Sequence, residues 1–411
     1  MDKALLPEGC PRCSLGKFLI WMGVLAVVLA WGGYWMARIF LFGIGETALD
    51  NTFGFGLWIT FDLAVIALGA GAFFTGLLRY ILNIDPLKHI INLAVIIGFI
   101  CYSGAMIVLA LDVGQPLRSW FGFWHANVHS MLVEVMFCIT CYLMVLAIEY
   151  VPIILENRQL NKIPFLHNMA HNFHLIMPLF AGMGAFLSFF HQGSLGGMYG
   201  VLFSRPYSYR PGFFIWPWTF FLFVLSAVAS GPVFTMLIAT VIEKASGRKM
   251  VDFKIKALMG KIAGTMLLVY VPLKIMDTWG WATSVLPEMG LNFSDLFHGV
   301  VYGQWQLWTE IVICGVIPMI MLNVKSIREN PMWLYTAAIL DCIGVSINRY
   351  VFTVQGLAAP VMPFDQWELY IPNEAEWAPT FLVIAYGAVL ISLSYRYLPV
   401  FPQEKALNAA K

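Results

Sequence analysis

ANVHSMLVEVMFCITCYLMVLAIEYVP, residues 126–152, decides how the chain is read. It is apolar and long enough to cross a bilayer, which takes about 20 residues as a helix. Yet it carries His129 and Glu134 near its start. At ~1.5 Å rise per residue Glu134 would lie roughly 10 Å below one membrane surface. Asn127, Ser130, Glu134, Cys138 and Cys141 recur at three- and four-residue spacing, which predicts one polar stripe along one helix face. An ionisable group at a helix centre costs about 2.5–3.5 kcal/mol or more in lipid, so Glu134 is expected to face a bundle interior. A carboxyl that merely ties helices together would satisfy the same pattern. Other segments, however, place similar groups at similar depth.

The rest of the chain has the composition of a membrane protein. Of 411 residues, 60% are hydrophobic and 11% charged, and mean hydropathy is +0.77, whereas a soluble domain is about one quarter charged. A net charge of +1 gives nucleic acid nothing to bind. The apolar run 18–43 is too long for a signal-peptide core and shows no small-residue cleavage site. Cys101, Cys138, Cys141, Cys314 and Cys342 fall inside apolar segments and read as small core residues. Cys10 and Cys13 form a lone CxxC without the second pair that a zinc or iron–sulfur site needs.

Ten spans follow, over 17–43, 56–81, 87–112, 126–152, 164–191, 213–242, 255–276, 304–324, 331–353 and 377–400. Pro178, Gly182 and Gly184 should kink the fifth, and Lys261, Pro272 and Lys274 should interrupt the seventh. With the N-terminus inside, the inner segments hold Lys3, Arg12, Arg79, Lys88, Arg158, Lys162, Arg248, Lys249, Lys325, Arg328, Lys405 and Lys411 among others, and the outer loops only Arg118, Arg205 and Arg210. That bias predicts both termini in the cytoplasm. The outer loops are rich in tryptophan, including Trp120, Trp124, Trp279, Trp281, Trp305 and Trp308, which points to a docking face.

HSMLVEVMFC in the fourth span aligns with WQLWTEIVIC in the eighth, pairing Glu134 with Glu310, and Asp112 likewise pairs with Asp277. Four spans separate the copies, so they share one orientation. The expected fold is all-α: two parallel-repeat four-helix bundles, over 53–191 and 213–353, and flanking helices at 17–43 and 377–400. Segments 1–16 and 401–411 would be cytoplasmic, and 192–212 and 354–376 periplasmic loops.

In this layout Asp62, Asp112, His129, Glu134, His191, Lys274, Asp277, Glu310 and Arg349 fall in the outer half. Ion pairs explain some of them, such as Lys274 with Asp277, or Arg349 with a carboxylate. A shared pocket near the outer face would suit a ligand that exchanges protons as well as electrons, such as a quinone head group. At the inner end of the fifth span, HNMAHNFH sets His167, His171 and His174 within an arc of roughly 60° on one helix face. With Glu149 and Asp341 they could pass protons inward, or they could simply sit at the interface. Haem would need paired histidines on facing helices, for which His129 and His191 are the one outer pair.

The stretches FGFGLWITFDLAVIALGAGAF (53–73), YSGAMIVLALDVG (102–114), NVHSMLVEVMFCITCYLMVLAIEY (127–150) and GAFLSFFHQGSLGGM (184–198) resemble the NrfD/PsrC family, the membrane subunits of polysulfide-reductase-type complexes. The ten-span layout is most similar to its HybB-like branch, found in periplasmic hydrogenases and in quinone reductase complexes of sulfate reducers. The resemblance implies a bacterial inner-membrane subunit with a menaquinone site near the periplasmic face and no haem or iron–sulfur cluster of its own. It also implies a periplasmic four-cluster, ferredoxin-like iron–sulfur partner, beside molybdopterin-type, hydrogenase or multihaem cytochrome c subunits. The positions carried over are Asp62, Asp112, Asn127, His129, Glu134, His191 and Gln192, while Lys274, Glu310 and Arg349 rest on depth and the repeat. His129 or His191 would meet a quinone carbonyl, and Gly196 and Gly197 would let an outer-loop backbone approach the head group. Quinone reduction is the expected direction. An ion-translocating subunit without quinone chemistry, a membrane cytochrome and a structural anchor are the competing readings.

Overall fold

The computed structural model describes residues 2–213, 216–362 and 364–409; Lys411, counted in the charge bias above, lies outside them. Among the described residues ten helices are long and apolar enough to cross a membrane: α1 Leu15–Phe42, α2 Leu57–Ile81, α3 Ile91–Asp112, α4 Met131–Leu155, α5 Pro164–Gly200, α6 Trp218–Ser246, α7 Phe253–Glu288, α8 Gln304–Asn323, α9 Pro331–Ala358 and α10 Glu374–Tyr397. In lipid each backbone N–H and C=O must be satisfied within its own segment, so apolar runs of this length fold as helices whatever their β-branched content.

Several boundaries differ from the sequence reading: α6 begins at Trp218 and not at 213, α7 runs to Glu288 and not to 276, and α9 to Ala358 and not to 353. Two further differences have a local cause. Helix α4 begins at Met131, not at residue 126. The Asn127 side chain accepts the His129 N–H at 3.1 Å, and Ser130 N donates to Asn127 O at 2.9 Å. That Asx turn occupies the backbone before Ser130, which caps the helix in an extended conformation. Helix α5 runs unbroken through Pro178, Gly182 and Gly184 to Gly200, nine residues past the expected end at 191. The terminal glycines are held by packing: a Cβ on Gly196 would sit 2.3 Å from Thr219 O, and one on Gly193 2.3 Å from the Phe220 ring. Nor do Lys261, Pro272 and Lys274 interrupt α7, which is helical across all three.

Packing divides the spans into two closed sets. Helix α2 touches α3, α3 touches α4, α4 touches α5, and α5 returns to α2; α6, α7, α8 and α9 close in the same cyclic order. The sets meet where α6 packs on α2 and α5, and α9 on α2. At that seam Gly71 and Gly231 cross back to back, a Cβ on Gly71 falling 2.4 Å from Gly231 O, the close approach that small residues permit between membrane helices. Helices α1 and α10 pair with each other and lie against α3.

The termini converge on one end. Arg12 bridges Glu404 at 2.7 Å, Arg248 reaches the same carboxylate at 2.8 Å, and Arg396 holds Asp2 at 2.7 Å. At the opposite end Arg205 donates to Leu357 O and Arg210 pairs with Asp277. Most of the loop tryptophans are exposed there, Trp124 at 76% and Trp279 at 72%. Trp281 instead is buried, with Nε1 donating to Pro206 O.

Candidate functional site

Two groups of buried polar side chains lie toward the end opposite the termini. They are separate clusters, not the single shared pocket expected above. The first is built by the start of α2, the end of α3, the start of α4 and the end of α5. His191 on α5 is completely buried, and neither ring nitrogen has a hydrogen-bond partner. Its ring centroid lies 5.7 Å from that of Tyr102 on α3. The Tyr102 hydroxyl shares a 2.7 Å hydrogen bond with Ser188 Oγ and accepts a long one, 3.4 Å, from Gln192 Nε2. Tyr142 on α4 stacks edge-on against Tyr102 at 4.5 Å.

Around this aromatic floor several polar atoms are left over. Asp62 Oδ1, Asp112 Oδ1, Gln192 Oε1 and the hydroxyls of Tyr142 and Tyr199 are all buried without a protein partner. Asp62 and Asp112 lie within electrostatic reach of one another, and Tyr199 of both. A buried polar group left unpaired costs about 1–3 kcal/mol, so several in one place mark a site and not a packed core. The tyrosines were not among the sequence candidates. Their signal was available in hindsight: Tyr102 stands about three turns before Asp112 on the same apolar helix.

The other first-set candidates sit apart from His191. His129 and Asn127 are exposed in the turn before α4, so His129 is no buried pocket ligand and cannot face His191 as a haem pair. Glu134 is half-buried in the first turn of α4, near Ser194. Gly196 and Gly197 belong to helix α5, not to a loop. The space beside Gly196 is filled by Thr219 and Phe223, and Met131 lies against Gly197, so neither glycine offers backbone to a ligand.

The second cluster is more fully paired, although Glu310 Oε2 and Arg349 Nε remain without a partner. Lys274 Nζ lies 3.1 Å from Glu310 Oε1, which also accepts from Asn348 Nδ2 at 2.9 Å. Arg349 donates to Asn348 Oδ1 and, at 2.9 Å, to Ser226 Oγ, with its guanidinium 3.6 Å from the centre of the Phe223 ring. The expected Lys274–Asp277 pair is therefore replaced. Arg210, arriving from the loop before α6, takes Asp277 at 3.0 Å and leaves Lys274 to Glu310. Nor does Arg349 meet a carboxylate; an aromatic face and neutral acceptors hold it, which a planar, weakly hydrated cation tolerates. Glu310 sits on a π-helical stretch, Thr309–Val316, a widening of the helix common at functional positions.

The residues assigned to proton transfer divide by depth. Glu149 and Asp341 are buried, Asp341 with Oδ2 unpartnered. His167, His171 and His174 are all exposed on the outward side of α5 near the terminal end. There His167 bonds Asn161 and His174 bonds Glu156, each at 2.8 Å. An apolar cavity of about 800 Å³ runs along the seam between the sets, past Leu68, Phe234, Gln306, Ile343, Ser346 and Tyr350. Among the described residues no group of three or more His, Cys, Asp or Glu is arranged to hold a metal ion.

Comparison with known proteins agrees with this architecture. The chain is 68% identical, over 99% of its length and 98% of the relative's, to the menaquinone reductase integral membrane subunit of Nitratidesulfovibrio vulgaris. It is 22% identical to the probable Ni/Fe-hydrogenase 2 b-type cytochrome subunit of Escherichia coli, across 89% of this chain and 88% of that one. A selenate reductase subunit of Mesobacillus selenatarsenatis is also 22% identical, over 89% of this chain and 90% of the relative. The profile of the polysulphide reductase NrfD family matches residues 45–360, and the chain belongs to that family.

Proposed function

We propose that this chain is the quinone-reactive membrane subunit of a multisubunit respiratory oxidoreductase. In this reading it takes electrons from an iron–sulfur partner docked on the tryptophan-rich end, the periplasmic one, and delivers them to menaquinone. The cluster around His191 carries the proposal. A free imidazole and a free amide oxygen, both buried, stand beside two carboxyls and three tyrosines. That donor and acceptor set fits a carbonyl-bearing ring, and the quinone supplies the two-electron, two-proton chemistry. His191 and Gln192 would orient the head group, Tyr102 would hold His191 in place, and Asp62 and Asp112 would carry protons to it. Identity to a named menaquinone reductase subunit supports the choice of quinone.

Proton uptake would start at the end where the termini lie. His167, His171 and His174 can gather protons at that surface but, being on the outside of α5, cannot conduct them through the interior. Glu149 and Asp341 are the buried positions that could. Haem fits the residues poorly despite the b-type cytochrome name of one relative. Of the eight histidines only His191 is buried, and no second one faces it.

The test is turnover of the assembled complex with a soluble menaquinone analogue. His191→Gln and Asp62→Asn should each slow it by about 100-fold, the lower range for loss of a positioned acid or base, while the subunits still co-purify. Parent rates in both variants would place the reaction elsewhere.

A further inference from the structure

A cavity of about 960 Å³ opens at the terminal end, between α1, α2, α3, α6 and α10. It has two distinct zones. Its mouth is lined by Arg12, Lys17, Arg248 and Arg396, and below them Phe18, Phe61, Ile100, Ile238, Ile384 and Ile391 form an apolar trunk. Along α10 the lining runs from Arg396 back to Val383, which at ~1.5 Å per residue is a depth of about 20 Å. That is the thickness of one leaflet with its headgroups, about half of 40–45 Å.

Among the described residues the charge at the mouth does not cancel. Arg12 and Arg248 share the single carboxylate of Glu404, and Arg396 is held by Asp2. Lys17 has no salt-bridge partner among the described residues, so four cations meet two carboxylates. Among the described residues the spare donors are specific: Arg248 uses only Nε, and Lys17 Nζ has no acceptor. We infer that this groove is a binding site for one anionic diacyl phospholipid. Its phosphate would lie between Lys17 and Arg248 and its acyl chains along the trunk between α1, α6 and α10. Basic pockets between membrane helices recognise lipid phosphates in this way. An isoprenoid quinone tail would fill the trunk but leave the spare cations unanswered.

The full chain, purified in detergent within its native assembly, should retain phosphatidylglycerol or another anionic phospholipid through extensive washing, as read by native mass spectrometry and phosphorus assay. Phosphatidylglycerol vesicles should raise its melting temperature, and phosphatidylcholine vesicles should not. Lys17→Gln with Arg248→Gln should weaken retention by about fivefold for each charge removed. Ala388 of α10 also lines the trunk, and Ala388→Phe, which fills it with every charge intact, should abolish retention with quinone turnover unchanged. Equal stabilisation by both lipids, undiminished retention in the variants, or isoprenoid quinone recovered in place of phospholipid would overturn the assignment. If the variants do not assemble, the vesicle comparison on the parent chain decides alone.

Discussion

The two polar clusters sit at the same end of neighbouring helix sets and are built from similar residue types, but they differ in how far their charges are paired. Around Glu310 each charged side chain has a partner: Lys274 and Asn348 hold Glu310 Oε1, and Ser226 and Phe223 hold Arg349, with Glu310 Oε2 and Arg349 Nε left over. Around His191 both imidazole nitrogens, two carboxyl oxygens and two hydroxyls are unanswered. An ion-paired cluster rigidifies its set of helices, and one whose charges and imidazole lack partners is suited to receive a ligand or a proton. The contrast turns two superficially equivalent groups of sequence candidates into one structural core and one site.

The sharpest way to break the comparison is to unpair the ion-paired side. Lys274→Met leaves Glu310 buried without its cation and should cost about 3–5 kcal/mol, as loss of one member of a buried pair does. It should be seen as a lowered melting temperature and poor recovery of the chain, and Lys274→Met with Glu310→Met should restore most of it. On the open side, His191→Gln should leave the melting temperature nearly unchanged while turnover falls as stated above. If stability fell and turnover survived, the roles of the clusters would be reversed.

A third variant probes the wall between the sets. Gly196→Val forces a side chain into Thr219 O and the Phe223 ring and should cost about 1–3 kcal/mol, the usual penalty of overpacking. Because Phe223 also carries Arg349, loss of stability should come with altered turnover only if the clusters communicate through that ring. His129→Ala should change turnover less than about twofold in an assembled complex, since His129 is exposed and away from His191. A larger drop would extend the site outward to the loop.

The smallest expected effect lies at the far end. Hydrogen bonding to Arg396 holds the Asp2 carboxyl below its ordinary range. A carboxyl with a depressed folded-state pKa stabilises above its unfolded value and loses that contribution as pH falls through the folded one. Acidification to below about pH 4 should therefore loosen the N-terminal segment, as proteolysis near Leu5 would report, without disturbing either cluster.

Much of the fold was legible because a bilayer permits so little: apolar segments of sufficient length must be helices. The misreadings came where local chemistry competes with that rule. The Asx turn at Asn127 delays α4, and the glycines after His191 stay helical only because Phe220 and Thr219 press into them. Burial of Asp62, His191, Lys274, Glu310 and Arg349 could be anticipated from cost alone. Their partners could not, since Arg210 reaches Asp277 from 67 residues away and Asn348 and Ser226 look like ordinary polar residues. Tyr102, Tyr142 and Tyr199 escaped notice because tyrosine in a span is usually read as interfacial.

The clasp of Arg12 and Arg248 on Glu404 also bears on biogenesis. Arg12 leaves the ribosome 392 residues ahead of Glu404, so α1 must be inserted and wait, unlatched, until the tenth helix has followed it into the membrane. A chain terminated just before Glu404 would have every transmembrane segment and keep Arg396 on Asp2, but would lose the carboxylate that draws Arg12 and Arg248 together. Quality control that removes intermediates lacking this clasp would then act on the shortened protein even though both polar clusters were complete.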